Sequence, residues 1–345
     1  MRRVILTPRG FNALLIISLT ATVITLVTLL FPRGSQSSLS LHVGRCSGNI
    51  RESVSLPAHK PKQLVFSYTG KVVVLMFHNI STDYCGRGTI SPEAFAADLD
   101  TLLYSGYHII SMNQFVAFLK GAAVPANAVM ITFDDGFEGV YRYAYPLLKQ
   151  QNIPATVFLI ADYIGKKTGF LTWPQIREMS ASGLFTIGAH TFNAHYSVPT
   201  SPKTSAPATI GRIYNLKTHR KETDKEYRDR ILADSFCAQQ VFNRELGHDT
   251  PYFAYPYGAY TVELDQILRI AGYKYFFTTL AGLNGSDDHT FHFYRINAGV
   301  PALSPERLVT RIQCTALLHR SPRKTPQNWL PRWAKEPALS LIRIS

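Results

Sequence analysis

The sequence predicts an α/β fold in which repeated strand–helix units close into a distorted (β/α)7 barrel. Strand and helix patterns alternate from Lys71 onward, which is typical of a parallel sheet covered by helices. The strands are short apolar runs, as expected for strands that are buried in a core. About seven such repeats occupy roughly 250 residues, and this length favours a barrel over an open sheet.

The individual elements follow from local patterns. The predicted strands are Val72–Phe77, Tyr107–Ile110, Val129–Phe133, Ala155–Ile160, Phe185–Ala189, Tyr252–Tyr255, Tyr273–Thr278 and Phe293–Asn297. The predicted helices are Pro92–Leu103, Met112–Leu119, Tyr141–Gln151, Pro174–Ala181 and Asp224–Leu246. Ser91 is a suitable N-cap for the first helix, and Gly247 a suitable end for the last one. Pro199–Thr209, rich in Pro, Ser, Thr and Ala, is predicted to be a loop.

An apolar segment precedes the barrel. Phe11–Phe31 contains no charged residue, and as a helix it would span roughly 30 Å, the thickness of a bilayer core. Three arginines precede it and one follows closely, so the N-terminus is expected in the cytoplasm and the rest outside the cell membrane. A secreted protein with a cleaved signal peptide is the alternative, although Phe31-Pro32-Arg33-Gly34 offers no small-residue cleavage site.

Four regions result from these patterns. Residues 1–33 form a basic stub and a membrane anchor, and residues 34–70 a linker rich in Ser, Gly and Pro. Residues 71–313 form the catalytic domain, and residues 314–345 a basic, Pro-rich tail. The four cysteines, at 46, 85, 237 and 314, form no C-x-x-C pair and could be disulfide-bonded or free.

Composition excludes little beyond disorder. The chain has 345 residues, of which 46% are hydrophobic, so it can form a substantial core. The net charge of +13 is concentrated near both termini. No nucleic-acid-binding motif accompanies the basic residues, and no nucleic-acid partner is predicted. Oligomeric state is left open.

The strongest local signal is Thr132-Phe133-Asp134-Asp135-Gly136, which follows an apolar strand. Adjacent side chains on a strand point to opposite faces, so two carboxylates share a pocket only where the strand ends and Gly136 lets the chain turn. One carboxylate could then bind a metal while the other serves as a base. A polar turn without a chemical role is the alternative.

A second signal is His190-Thr191-Phe192-Asn193-Ala194-His195, which follows the strand Phe185–Ala189. Two side chains five residues apart point to opposite faces of a strand, so joint ligation requires a loop. Neutral imidazoles and a carboxylate are suitable ligands for Zn²⁺ or a similar divalent ion. The spacing could also be incidental.

Together these segments resemble the polysaccharide deacetylase family, also called the NodB homology domain or carbohydrate esterase family four. Its T-F-D-D-G motif is matched at Thr132–Gly136, and its H-[ST]-x-x-H motif at His190–His195 with one extra residue. That spacing resembles the branch of exported poly-N-acetylglucosamine deacetylases. The R-x-P-Y-G motif survives in part at Ala254–Gly258. The resemblance covers about residues 72 to 312.

The resemblance implies a role for each matching residue. Asp135, His190 and His195 would hold a divalent metal, most often Zn²⁺, with Ni²⁺, Co²⁺ or Fe²⁺ as alternatives. Asp134 would be the general base, and the backbone N–H of Tyr257 would stabilise the oxyanion.

Two departures from the family pattern need substitutes. The arginine of the third motif, which steadies the catalytic carboxylate in relatives, is Ala254 here, and Arg295 is the predicted replacement. The family's C-terminal L-x-I-x-x-H motif has no good copy. However, Val73–His78 has the same apolar spacing on the first strand, which lies beside the last strand in a closed barrel. His78 is therefore the predicted general acid, with a structural histidine as the alternative.

The expected activity is metal-dependent hydrolysis of the N-acetyl group of an N-acetylated polysaccharide. Biofilm poly-N-acetylglucosamine, peptidoglycan and chitin-like chains are the candidate substrates, the first favoured by the histidine spacing. One alternative is a non-catalytic carbohydrate-binding domain with the same fold. The other is an amidohydrolase that acts on a small non-sugar amide.

Overall fold

The computed structural model describes residues 67–83, 86, 88–286 and 292–318. The predicted membrane anchor, most of the linker and residues 319–345 of the predicted tail lie outside the described residues. Within the part that is described, no helix combines the length and apolarity needed to cross a bilayer.

The described strands are mostly short. They are β1 Lys71–Phe77, β2 Asn79–Ile80, β3 Thr89–Ile90, β4 His108–Ile109, β5 Ala128–Phe133, β6 Ala155–Leu159, β7 Phe185–Ala189, β8 Ser197–Pro199, β9 Ser205–Pro207, β10 Tyr214–Asn215, β11 Arg220–Lys221, β12 Tyr252–Ala254, β13 Tyr275–Phe277, β14 Asn284–Gly285, β15 His292–Phe293 and β16 Ile296–Asn297.

The described α-helices alternate with the longer strands. They are α1 Pro92–Tyr104, α2 Met112–Leu119, α3 Tyr145–Gln150, α4 Trp173–Ala181, α5 Asp224–Leu246, α6 Val262–Ile270 and α7 Pro305–Leu318. A π-helical segment, Val140–Ala144, precedes α3, and short 3₁₀ turns occupy Ala161–Tyr163 and Pro256–Gly258.

The main sheet is a nearly closed barrel, as the alternating pattern predicts. Strands β1, β5, β6, β7, β12, β13 and β15 pair in that order, all in parallel. Strand β16 returns to β1, again in parallel, and only Tyr294 and Arg295 separate it from β15. Because all these strands are parallel, their carboxyl ends lie at one end of the barrel, where the polar motifs follow β5 and β7.

Two apolar layers hold the barrel together. Alternate residues of β1 face different layers: Val72 and Val74 belong to an inner cluster, while Val73 and Leu75 belong to an outer cluster shared with the surrounding helices. Helix α2 packs against the inner cluster, where the ring of Phe115 lies 5.0 Å from that of Phe293.

The predicted helix ends are confirmed where the structure shows the caps. The Ser91 hydroxyl accepts a hydrogen bond from the Ala94 N–H at 3.1 Å at the start of α1. Helix α5 ends at Gly247, whose φ of 81° is the left-handed conformation that glycine adopts without strain.

Three sequence predictions need correction. The predicted strand Phe293–Asn297 is broken into β15 and β16, and Arg295 lies in the break because its guanidinium turns into the barrel. The predicted loop Pro199–Thr209 takes part in a hairpin, since β8 pairs with β9. The predicted helix Tyr141–Gln151 begins as a π-helix. In addition, α7 continues to Leu318, beyond the predicted domain limit at Gln313.

Asp98 makes the stability of the fold depend on pH. It is 4% exposed on α1, and one of its oxygens has no hydrogen-bond partner among the described residues. Burial, and then the nearby charge of Glu306 on α7, raises the pKa of Asp98 to about 7. The unfolded carboxyl has a pKa of about 3.9, so the folded state binds the extra proton between these values and stability falls as pH rises through this window.

We therefore expect Asp98→Asn to stabilise the fold selectively at high pH, since asparagine cannot ionise. The variant should gain about 1–3 kcal/mol over the wild type at pH 8 and show little gain at about pH 4, near the pKa of the unfolded carboxyl. Urea unfolding of both proteins at the two pH values measures the difference. An equal effect at both values would contradict this explanation.

Candidate functional site

The two adjacent carboxylates lie where β5 ends. Strands β1 and β5 pair in parallel with Phe77 opposite Phe133, so His78 lies beside Asp134. The Asp134 N–H donates to the Phe77 carbonyl at 3.0 Å. Asp135 then adopts a φ of 74° and Gly136 a φ of 85°, a turn in the left-handed region that redirects the second carboxylate.

The two histidines follow β7, which is separated from β5 by one strand, β6. His190 continues the ladder, since its N–H donates to the Leu159 carbonyl at 2.8 Å. Thr191 then adopts a φ of 84°, which ends the extended backbone and starts a loop. This loop brings the centre of the His195 ring to 4.8 Å from that of the His190 ring. The two side chains can therefore face one ion, which a continuous strand or helix would prevent.

Asp135, His190 and His195 converge on one point. Each Nε2 atom lies 3.4 Å from the Asp135 Oδ1, and one donor atom from each residue lies within 4.8 Å of the others. Two donors that are each about 2.1 Å from a tetrahedral ion lie about 3.4 Å apart. The spacing therefore fits a shared divalent ion.

The chemistry of these donors supports the same interpretation. Ala254 accepts from His190 Nδ1 at 2.8 Å, an arrangement that protonates Nδ1 and leaves the Nε2 lone pair directed at Asp135. Burial lowers the pKa of His190 to about 3 and also lowers the pKa of His195, so both rings are neutral. The Asp135 Oδ1 is buried and has no hydrogen-bond donor among the described residues. A divalent cation would satisfy the two imidazole lone pairs and the carboxylate oxygen together.

Asp134 is engaged differently, by a buried arginine. Arg295 is fully buried and donates from its two terminal nitrogens to the two oxygens of Asp134, both at 2.7 Å. Its Nε donates to the Thr278 carbonyl at 2.7 Å, which fixes the plane of the guanidinium. Burial raises the pKa of Asp134, but the charge and hydrogen bonds of Arg295, together with the nearby His190 and His78, outweigh this effect and lower the pKa to about 2.

Arg295 is buried against the aromatic core of the barrel. The guanidinium lies 5.6 Å from the centre of the Phe158 ring inside the barrel. Phe158 itself fits there because the facing residue is Gly188, at which a Cβ would come within 2.4 Å of the ring. The guanidinium that binds Asp134 therefore comes from the break between β15 and β16, and not from β12, the strand that ends at Ala254.

His78 and Tyr257 follow β1 and β12, two strands that are not neighbours in the sheet. His78 is half-buried, and its Nδ1 is buried without a hydrogen-bond partner among the described residues. Burial raises the pKa of Asp135 to about 6, and the charge of His78 acts in the opposite direction on both Asp135 and Asp134, so His78 is near the two carboxylates. Tyr257 has a φ of 58° and is 54% exposed, with its ring 4.6 Å from that of His195.

The sequence did not single out two further contributors. Thr132 belongs to the T-F-D-D-G motif, and its hydroxyl accepts from the Arg295 Nη1 at 3.4 Å, a contact with a residue far away in the sequence. Asp234 on α5 bonds to the loop between the two histidines, and no local pattern marks it.

Comparisons with known proteins found similar sequences and similar structures. The sequence model of the polysaccharide deacetylase family matches residues 121–276. The poly-beta-1,6-N-acetyl-D-glucosamine N-deacetylase of Escherichia coli K12 is 28% identical over 230 residues, which are 61% of this chain and 34% of that protein. The chain therefore spans about a third of the length of this curated relative.

Solved structures are similar over most of the barrel. IcaB from Ammonifex degensii is 31% identical with a TM-score of 0.58, and the match covers 71% of this chain and 97% of that one. A de-N-acetylase from Aggregatibacter actinomycetemcomitans has a TM-score of 0.63 at 24% identity, with 69% of this chain and 99% of that one covered. The second similarity bears on the fold alone.

Proposed function

Since this chain belongs to the polysaccharide deacetylase family, we propose that it hydrolyses the N-acetyl group of an N-acetylhexosamine polymer and releases acetate. The observation that carries the proposal is the convergence of Asp135, His190 and His195 beside a second carboxylate, Asp134, that makes no part of that cluster. A metal ligand set next to a separate base is the arrangement that metal-dependent amide hydrolysis uses, whereas binding a sugar requires neither.

Asp135, His190 and His195 would hold the divalent ion. When bound, such an ion polarises the acetamide carbonyl and makes water a better nucleophile near neutral pH. Zn²⁺ is the first choice for one carboxylate and two imidazoles, and Ni²⁺, Co²⁺ and Fe²⁺ are the alternatives.

Asp134 would take the proton from the attacking water. Arg295 keeps this carboxylate ionised, and each oxygen retains a lone pair beyond the one that accepts from the guanidinium. The same two hydrogen bonds fix the orientation of the carboxylate, so the base cannot swing into the cluster of metal ligands.

His78 and Tyr257 would act on the two ends of the breaking amide. His78 lies beside Asp134 at the end of β1, and it would donate a proton to the departing sugar amine. The backbone N–H of Tyr257, in its left-handed turn next to His195, would donate to the oxyanion of the tetrahedral intermediate.

The substrate that we favour is poly-β-1,6-N-acetylglucosamine. The relative in Escherichia coli carries that name, and the five-residue spacing between His190 and His195 resembles the same branch. Peptidoglycan and chitin-like chains are the competing substrates. The uncharged Phe11–Phe31 segment supports a location on the outer face of the cell membrane.

Acetate release from N-acetylglucosamine oligomers tests the proposal. We expect the purified chain to release acetate, and we expect activity to fall on the order of 100-fold or more after chelation and to return with Zn²⁺. Oligomers of β-1,6, β-1,4 and peptidoglycan type, compared at equal concentration, would rank the substrates. A simple N-acetylated amine without a sugar is the control. Activity that is unaffected by chelation, or no acetate from any oligomer, would contradict the proposal.

A further inference from the structure

Asp234 accepts hydrogen bonds from the loop that connects His190 to His195. This residue lies in the middle of α5, far from both motifs in the sequence. Its Oδ2 accepts from the Phe192 N–H at 3.0 Å, and its Oδ1 accepts from the Asn193 N–H at 2.9 Å. The two bonds use both oxygens of one carboxylate on consecutive N–H groups, so they fix the direction of the loop as well as its distance from α5.

The loop has a conformation that needs such an anchor. Thr191 has a φ of 84°, and a β-branched residue in the left-handed region is strained. Consecutive N–H groups beside a residue of this conformation form a concavity that attracts anions. The Asp234 carboxylate occupies that concavity, and the Ala194 N–H also interacts with it. The strained turn and the carboxylate therefore stabilise each other.

Other residues of α5 hold the chain that follows. The Tyr227 hydroxyl donates to the Thr209 carbonyl at 2.7 Å, and Arg230 donates to the Ala208 carbonyl at 2.9 Å. Positions 227, 230 and 234 are three and four residues apart, so they share one face of the helix. This face holds the chain after β7 at several points, and Asp234 makes the contacts that lie between His190 and His195 in the sequence.

We propose that Asp234 is a positioning residue for the metal site: it sets the path from His190 to His195 so that both Nε2 atoms face Asp135. The inference rests on the proposed function because it requires those three residues to bind a divalent ion. A loop with one residue more than the usual family spacing has more conformations to exclude, and the carboxylate restricts them.

Zinc affinity of the full chain tests this inference. Asp234→Asn keeps the size of the side chain but loses the charge and one acceptor, and we expect it to weaken Zn²⁺ binding by about 10–100-fold. Asp229→Asn is the matched control on the same helix, because that carboxylate bonds to Lys225 and not to the loop. The control should bind Zn²⁺ within about twofold of the wild type. Competition with a chromophoric chelator gives the dissociation constants.

Hydrogen exchange and the unfolding temperature of the metal-free proteins separate positioning from general stability. We expect the amides of Phe192 and Asn193 to exchange faster in Asp234→Asn and to stay protected in Asp229→Asn. Unchanged Zn²⁺ affinity in a folded Asp234→Asn protein would overturn the inference, even if the unfolding temperature falls.

Two further outcomes remain interpretable. If Asp234→Asn does not fold, Asp234→Glu replaces it in the test. The added methylene displaces the carboxylate, so we expect this variant to bind Zn²⁺ more weakly. An unchanged Zn²⁺ affinity would overturn the inference. If the wild type itself binds no divalent ion, the proposed function fails together with the inference. Equal Zn²⁺ affinity in the wild type and the variant would overturn the inference but leave the proposed function intact.

Discussion

Asp134→Asn is expected to reduce kcat for acetate release by about 10²–10⁴-fold while the protein keeps its metal. Asparagine has nearly the shape of aspartate and can still lie beside Arg295, but it cannot accept the proton from the attacking water. Asp134 makes no part of the cluster formed by Asp135 and the two histidines, so metal content should stay close to that of the wild type. Acetate release and metal analysis of the same preparation measure both quantities.

The contrasting variant is Asp135→Asn. It removes the only carboxylate of the cluster, and we expect it to lose metal and turnover together. An Asp134→Asn protein that keeps most of its activity would show that another group is the base. An Asp134→Asn protein that loses its metal would show that the two carboxylates do not have separate roles.

Arg295→Met is expected to lower the free energy of unfolding by about 3–5 kcal/mol at pH 7. Asp134 is 1% exposed, and without the guanidinium its charge would be buried and unpaired. Methionine fills much of the same volume, so the loss reports the charge rather than a cavity. Chemical unfolding measures the loss of stability, and acetate release should fall as well because the base is no longer held in place.

Two measurements show whether the loss of stability in Arg295→Met comes from the buried charge of Asp134. One is the pH dependence of that loss, and the other is its size when Asp134 is replaced as well. Without Arg295 the pKa of Asp134 rises, so the penalty for its charge is present above the new pKa and disappears as pH falls below it. The difference from wild type should therefore shrink toward acidic pH. In the Asp134→Asn/Arg295→Met double variant, the loss should be smaller than the sum of the two single losses. A loss below about 1 kcal/mol at pH 7 would mean that the buried pair contributes little.

The local patterns identified most elements, but they failed where tertiary contacts decide the backbone. Met112–Leu119 and Phe185–Ala189 were predicted with the observed bounds, because their apolar spacing and flanking residues are sufficient. The strand through Arg295 was predicted as continuous, since five residues of mixed apolar character fit a strand. The break arises because the side chain turns inward to meet Asp134, a contact across 161 positions of sequence.

The sequence by itself determined which chemical groups are available and at which strand ends they lie. Asp134 and Asp135 after one apolar strand and His190 and His195 after another indicated possible metal ligands, and the family resemblance assigned three of them to one cluster. Parallel strands bring their carboxyl ends to one end of the barrel, which makes such a cluster possible. Only the tertiary structure decided how those groups are held. Arg295 reaches Asp134 from the β15–β16 break, and Asp234 reaches the histidine loop from the middle of a helix. Neither contact has a periodicity or spacing along the chain, since each depends on where two distant segments pack.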